Sequence, residues 1–216
     1  MIDPSFFSGK QTNDTIKLIK LENGGYQMKK VACFFADGSE EIELLSVVDI
    51  LRRAGVQADM ISISGEMPTS AHGVVIKADL TLDQADMAQY DAIYIPGGGR
   101  GAESLADNEA VVAAIQDFNS RKKIVSAICA GPTVLERAGI LQGHEGTSYP
   151  AFEGQLSFKL YREDLVVVSE NIVTSRGPAT ALLMGFELLR QLDLHIEADE
   201  IWDDMLMGQL KEHFRH

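Results

Sequence analysis

The stretch from Lys122 to Leu135 limits what this chain can fold into more than any other. Ile124 to Ile128 is a short apolar run of the kind a parallel sheet buries on both faces. Ala130 and Gly131 are small enough to let two backbones approach behind Cys129, and Pro132 suits the first turn of a helix, where its missing N–H has no partner to lose. The pattern predicts a strand, one tight bend and a helix, with Cys129 at the bend and the thiolate favoured by the helix dipole. A free cysteine titrates near 8.5, and such settings bring it to roughly 3.5–7.5.

A lone cysteine is more often a buried structural residue than a nucleophile. The small neighbours at a strand-to-helix bend argue for reactivity, because the serine version of this bend is the nucleophile elbow. The rest of the chain supplies a sheet for it. Lys30 to Ala36 is a continuous apolar strand. Asp37-Gly38 breaks it, and Ser39 is expected to cap a helix from Glu40 to about Ala54, with Leu44, Val47, Val48 and Leu51 on its core face. Gly55 ends that helix and Val56–Ile63 reads as the next strand. Strand, helix and strand in so short a span make a βαβ unit, and hence a mostly parallel sheet with helices on both faces.

Val74–Ile76 reads as a short strand within an excursion, and Tyr90–Pro96 as a buried strand ending in Gly97-Gly98-Gly99-Arg100-Gly101. One helix carrying Val111, Ile115 and Phe118 is expected to lead into the Cys129 strand. Leu165–Ser169 and Ile172–Ser175 read as a hairpin, and helices follow around Leu182, Phe186 and Leu189 and around Ala198, Ile201, Trp202 and Met205. At 216 residues the chain suits one α/β domain, placed at 29–216. Residues 1–28 read as a non-domain extension, a tag or a misassigned start, since Met1–Gly9 has no amphipathic period and Asn23-Gly24-Gly25 is a turn or linker.

Composition excludes several classes. No run approaches the roughly 18 apolar residues of a membrane span. A net charge of −13 repels phosphate backbones, so neither a nucleic acid nor a membrane is an expected partner. Two cysteines and no secretory signal point to a reducing cytoplasm. No His, Cys, Asp or Glu cluster has metal-ligand spacing, and no metal or cofactor is expected.

A cysteine nucleophile needs a group to manage its proton and donors to hold an oxyanion. The donors best placed are the backbone amide of Ala130 and one from the Gly97–Gly99 loop, since both loops lie at carboxyl ends of strands. Gly97, Gly99 and Ala102 also fit a G-x-G-x-x-A dinucleotide pattern, but the strand that follows ends in Cys129 rather than an acid. His195-Ile196-Glu197 resembles the His-x-Glu pair of glutamine amidotransferases, yet it follows the Leu182–Leu189 helix instead of preceding it, so His195 reads as a surface residue. Among the first-helix carboxylates, Glu43 lies along an apolar stripe with Val47 and Ile50 and would carry a raised pKa there. The residues alone do not separate Glu40 from Glu43.

With these residues assembled, the chain resembles the ThiJ/PfpI superfamily, and within it the branch of the parkinsonism-associated protein deglycase and its bacterial YajL-type relatives. The resemblance runs from Lys30 to about Leu192. It rests on Gly38–Glu43, Val48–Gly55, Ile95–Gly98, Ala127–Pro132 and Thr174–Pro178 in that order. It implies a flavodoxin-like three-layer sandwich, usually a homodimer, with Cys129 as reactive thiol, Glu43 as the protonated carboxyl beside it, and the amides of Gly98 and Ala130 as oxyanion site. Protease-like members carry a histidine where this chain has Ala130, so peptidase activity is not expected. Tyr149-Pro150 stands where the deglycase has His-Pro, and His72 where it has an arginine. Both are auxiliary candidates. Tyr149 donates a hydrogen bond but is a poor base, which leaves proton transfer to Glu43.

The resemblance implies a cofactor-independent glyoxalase or deglycase acting on small 2-oxoaldehydes or their adducts. The competing expectation is a redox-sensing, stress-protective or chaperone-like protein whose Cys129 is oxidised to a sulfinate.

Overall fold

The structure, a computed structural model, describes residues 19–20 and 26–213. Two short strands, β1 (Ile19–Lys20) and β2 (Tyr26–Gln27), pair antiparallel outside the main sheet. The remainder of the expected 1–28 extension lies outside the described residues.

The main sheet starts with β3 (Lys30–Phe35), followed by α1 (Glu41–Arg53), β4 (Gln57–Ser62), β5 (Leu80–Thr81) and β6 (Ala92–Ile95). Then come α2 (Gly99–Asp107), α3 (Glu109–Ser120), β7 (Ile124–Ile128) and α4 (Pro132–Arg137). A two-residue pair, β8 (Glu145–Gly146) and β9 (Leu160–Tyr161), stands apart from the sheet. The chain closes with β10 (Val166–Ser169), β11 (Ile172–Ser175), α5 (Ala181–Gln191), α6 (His195–Asp204) and α7 (Met207–His213). The seven-stranded order is β10-β11-β7-β6-β3-β4-β5, parallel throughout except for the edge strand β10.

Period-2 alternation divides the strands between two cores. Val31, Cys33, Phe35 and Tyr94 pack on one face with Leu44, Leu51, Met184 and Leu188 of α1 and α5. Ala32, Phe34, Ile93 and Ile95 pack on the other with Leu105, Ile115, Phe118 and Leu135 of α2, α3 and α4. Each such side chain contributes about 1.5–3 kcal/mol on burial, which is what seats three layers of secondary structure. This is the flavodoxin-like sandwich with its parallel sheet and helices on both faces.

Several local expectations change. Glu40, not Ser39, caps α1, accepting the amide of Glu43 at 2.8 Å. The Ser39 hydroxyl is spent one turn earlier, accepting the Ala36 amide at 3.0 Å. The single helix expected after the glycine loop is two, because Asn108 accepts the amides of Ala110 and Val111 and starts α3 afresh. Val74–Ile76 makes only an isolated bridge between Thr69 and Val75. Gly55, at φ 77, closes α1 as expected, with its amide donating to Arg52 O. No helix among the described residues is long and apolar enough to cross a membrane.

Candidate active site

Cys129 leaves β7 at φ 62, a left-handed conformation that costs a non-glycine residue about 1–3 kcal/mol. Three backbone hydrogen bonds hold it there. The Cys129 amide donates to Ser175 O at 3.0 Å, its carbonyl accepts the Tyr149 amide at 3.0 Å, and the Gly131 amide donates to Ile128 O at 2.7 Å. A Cβ at Gly131 would stand 2.7 Å from Ile95 O, so only glycine lets the turn close against β6. The thiol is partly exposed, whereas Cys33 in mid-strand is fully buried.

Glu43, in the first turn of α1, is fully buried. Gly97 donates its amide to Glu43 Oε2 at 2.7 Å. Behind it, the buried Tyr94 hydroxyl donates to Glu43 O at 2.9 Å and fixes the helix start against β6. Gly97 is also the spacer of the site: a Cβ there would lie 2.5 Å from Glu43 Oε2 and 2.7 Å from Cys129 Cβ. The glycine loop is clasped to the β3–α1 turn, with the Glu40 amide donating to Gly97 O at 3.0 Å. Gly98 sits at φ 84, and a Cβ there would fall 2.3 Å from Gly38 O. The structure thus separates two carboxylates the sequence left tied. Glu40 turns its Oε2 back on its own helix, and Glu43 enters the site.

The Glu43 carboxyl meets the thiol, with Oε1 buried and making no other hydrogen bond. Burial, opposed by hydrogen bonds from Cys129 and the Gly97 amide, raises the Glu43 pKa to about 7. Beside an ionised Glu43 the thiol is pushed up to about 12, first by burial and then by the carboxylate's charge and hydrogen bond. The amides of Ala130 and Gly98 both bond to the sulfur and pull the other way. This corrects the expectation of a thiol acidified by its helix. α4 is a six-residue helix, and burial beside an anion outweighs its dipole. The pair acts as a unit, because a proton on Glu43 removes the repulsion and lets the carboxyl donate to the sulfur.

Cys129, Glu43, Gly98 and Ala130 therefore converge. Tyr149 lies at the rim, 47% exposed, with its ring against Gly177. His72 does not reach the thiol's immediate contacts. Its Nδ1 lies 3.0 Å from Glu41 Oε1 and 3.8 Å from Glu40 Oε1. These three residues bring their ligand atoms within 4.8 Å of one another, the one such group among the described residues. Sequence spacing does not reveal it, because His72 comes from a distant loop pinned by the Ala71 amide to Ser39 O. His195 is exposed at the start of α6. Sequence reasoning missed Tyr94 and Ser175, whose roles lie in a phenol oxygen and a backbone carbonyl inside runs that read only as strand.

The geometry has close counterparts. The model of the DJ-1/PfpI family matches residues 29–191. "Protein DJ-1 homolog B" of Arabidopsis thaliana is 38% identical over 72% of this chain, which spans only 36% of that longer protein. The "Glutathione-independent glyoxalase DJ-1" of Schizosaccharomyces pombe is 33% identical, covering 76% of this chain and 92% of the relative. The structure described as "Toxoplasma gondii DJ-1, oxidized" superposes with a TM-score of 0.79 at 37% identity, covering 82% of this chain and 98% of that one. On its sequence, its sheet order and the glycine-spaced elbow at Cys129, this chain belongs to the DJ-1/PfpI family.

Proposed function

We propose that the protein converts small 2-oxoaldehydes, or their early adducts with thiols and amines, to 2-hydroxy acids without a cofactor. The observation that carries this reading is the pairing of a strained, partly exposed Cys129 with a buried Glu43 whose pKa is raised to about 7. Such a carboxyl can both give and take a proton at neutral pH.

Cys129 thiolate adds to the aldehyde carbon, and the oxyanion so formed is met by the amides of Gly98 and Ala130 and takes the proton from Glu43. The Glu43 carboxylate next removes the hydrogen on that carbon as a proton and delivers it to the neighbouring carbon. The hydroxyl on the former aldehyde carbon gives up its proton to the neighbouring oxygen, so the ketone becomes a hydroxyl and a thioester remains on Cys129. Water cleaves the thioester, releasing the 2-hydroxycarboxylate and restoring the thiol. The net change is addition of one water to the 2-oxoaldehyde. The glyoxalase named among the relatives supports this class of reaction. Ala130 stands where protease-like members carry a histidine, so the histidine base of peptide cleavage is missing beside the thiol.

A second reading is a redox sensor in which peroxide oxidises Cys129 to a sulfinate held by protonated Glu43 and the same amides. It is favoured by the sulfur contacts of Gly98 and Ala130, which suit a charged sulfur oxoacid as well as an oxyanion. The working form in either case is a homodimer, for which the exposed Ile42, Leu45, Val74 and Val75 offer apolar surface. Methylglyoxal consumption with lactate detection tests the first reading. Turnover lost in both Cys129→Ser and Glu43→Gln supports it. No wild-type turnover, with Cys129 still oxidised to a stable sulfinate by mild peroxide, overturns it in favour of the sensor.

A further inference from the structure

Arg176 carries a charge that no described residue answers. Its Nη1 is buried without a hydrogen-bond partner, and its guanidinium makes no ion pair among the described residues. By contrast Arg52, Arg53, Arg121, Arg162 and Arg190 each pair with an aspartate or glutamate, and Arg100 and Arg137, which make no such pair, are exposed. In a chain with 32 acidic residues, a cation left alone away from full solvent needs a reason. Arg176 is half-buried, and a guanidinium nitrogen withdrawn from water is unfavourable unless an anion or acceptor compensates it.

Its position supplies the reason. Arg176 follows β11, whose last residue Ser175 pairs with Ile128 and accepts the Cys129 amide. The last register pair is Ser175 with Ile128, so Arg176 and Cys129 each stand one residue beyond it on adjacent strands. Side chains alternate along the end of this strand. The Ser175 hydroxyl donates to Leu165 O at 2.7 Å, while Thr174 Oγ1 accepts the Thr147 amide at 2.9 Å. Arg176 follows directly after the strand, between Ser175 and Gly177. The next residue, Gly177, lies under the Tyr149 ring, 3.4 Å from Cδ2 to the Cβ position. Its chain neighbours thus both touch the site, Ser175 through the Cys129 amide and Gly177 through the Tyr149 ring. His72 lies instead against Glu41, with its Nδ1 3.0 Å from Oε1.

We propose that Arg176 is the anion-binding residue of the Cys129 site and takes the carboxylate of a small 2-hydroxy acid, or of a substrate that already carries one. The assignment rests on the 2-oxoaldehyde reading for the identity of that acid. A neutral 2-oxoaldehyde becomes an anion only when the thioester is cleaved, so the guanidinium binds product more tightly than an uncharged substrate. It also gives carboxylate-bearing aldehyde adducts an advantage over neutral ones. A planar guanidinium fits a carboxylate with two parallel N–H···O bonds.

Paired alkylating reagents test this without relying on turnover. Iodoacetate and iodoacetamide differ by a carboxylate, and the ratio of their rates at Cys129 reports the local preference for an anion. Wild type is expected to show a ratio about tenfold above that of Arg176→Gln, the scale of one charge-assisted hydrogen bond, with Arg176→Lys between them. Raising the salt lowers the wild-type ratio and leaves that of Arg176→Gln unchanged, a comparison that wild type alone can supply if the variant fails to fold. Lactate should protect wild-type Cys129 from iodoacetamide at lower concentration than it protects the variant. Equal ratios in wild type and Arg176→Gln, or a wild-type ratio indifferent to salt, overturn the assignment. Turnover of methylglyoxal with equal ratios removes the anion site and leaves the enzyme reading standing. Unequal ratios without turnover, and with lactate protection retained, do the reverse.

Discussion

Cys33 in β3 and Cys129 at the end of β7, two strands separated by β6, differ in nearly everything that makes a thiol useful. Cys33 lies within β3 in regular backbone, fully buried among apolar side chains, and burial pushes its pKa far above the ordinary range. Cys129 stands just past the carboxyl end of β7, partly exposed, at φ 62. Burial raises it too, but here the opposing groups are at hand: two amides on the sulfur and a carboxyl that can carry the proton. A buried thiol in this protein is inert by default. What distinguishes Cys129 is the strand end and the loops that converge on it.

The strongest way to break the comparison is to remove each sulfur in turn. Cys129→Ser should reduce 2-oxoaldehyde turnover by 10³-fold or more, since the weaker nucleophile lacks a base of matched strength, a loss of about 4 kcal/mol in transition-state stabilisation. Cys33→Ala should leave kcat/KM unchanged within about twofold, because Cys33 touches none of the converging groups. A comparable loss from both changes would mean that Cys129 acts through the fold.

Gly97→Ala probes the spacing. The new methyl group must push Glu43 and Cys129 apart by a substantial fraction of an ångström, which should cost about 10²-fold in kcat with little effect on KM. Unchanged kcat would show that the carboxyl and thiol need not touch.

Glu43 makes stability depend on pH in a defined direction. Its carboxyl titrates near 4.5 in the unfolded chain and at about 7 in the folded one. Between those values the folded state keeps a proton that the unfolded chain has released, so stability falls as pH rises through the window and stays lower above it. Glu43→Gln should therefore match wild type below pH 4 and exceed it by about 2–3 kcal/mol at pH 8 in urea denaturation. In iodoacetamide alkylation the wild-type pH profile should show a step with a midpoint near 7 that vanishes in Glu43→Gln. A step that persists would assign it to another group.

The smallest effect concerns the silent cysteine. Cys33→Ala should lower stability by about 1 kcal/mol through the cavity left in the α1–α5 core, measured as a shift in the urea midpoint with unchanged slope.

The fold was legible because its signals are local. Apolar runs, the Gly55 stop and the small residues behind Cys129 each specify an element without reference to the rest. The site was legible in outline for the same reason, since the elbow and the glycine loop fall at strand ends. Three things escaped for physical reasons. Glu40 and Glu43 share one helical turn, and only the packing of the glycine loop decides which points inward. The acidity of the thiol depends on burial and on a carboxylate from α1, neither of which the helix-terminus pattern contains. Asn108 reads as one more polar residue in a helical stretch until its side chain is seen accepting the amides that start α3.

The hydrogen bond from the Cys129 amide to Ser175 O has a consequence for the order of events on the ribosome. β11 is the neighbour that locks the bend, yet it is the last strand of the sheet to be synthesised. While the chain is still emerging at about 5–20 residues per second, β7 is an open, apolar edge and the elbow has no clamp. The nascent protein therefore carries Cys129 without the backbone bond that holds its bend. On the proposed reading, the thiol meets its partners only once the sheet is complete.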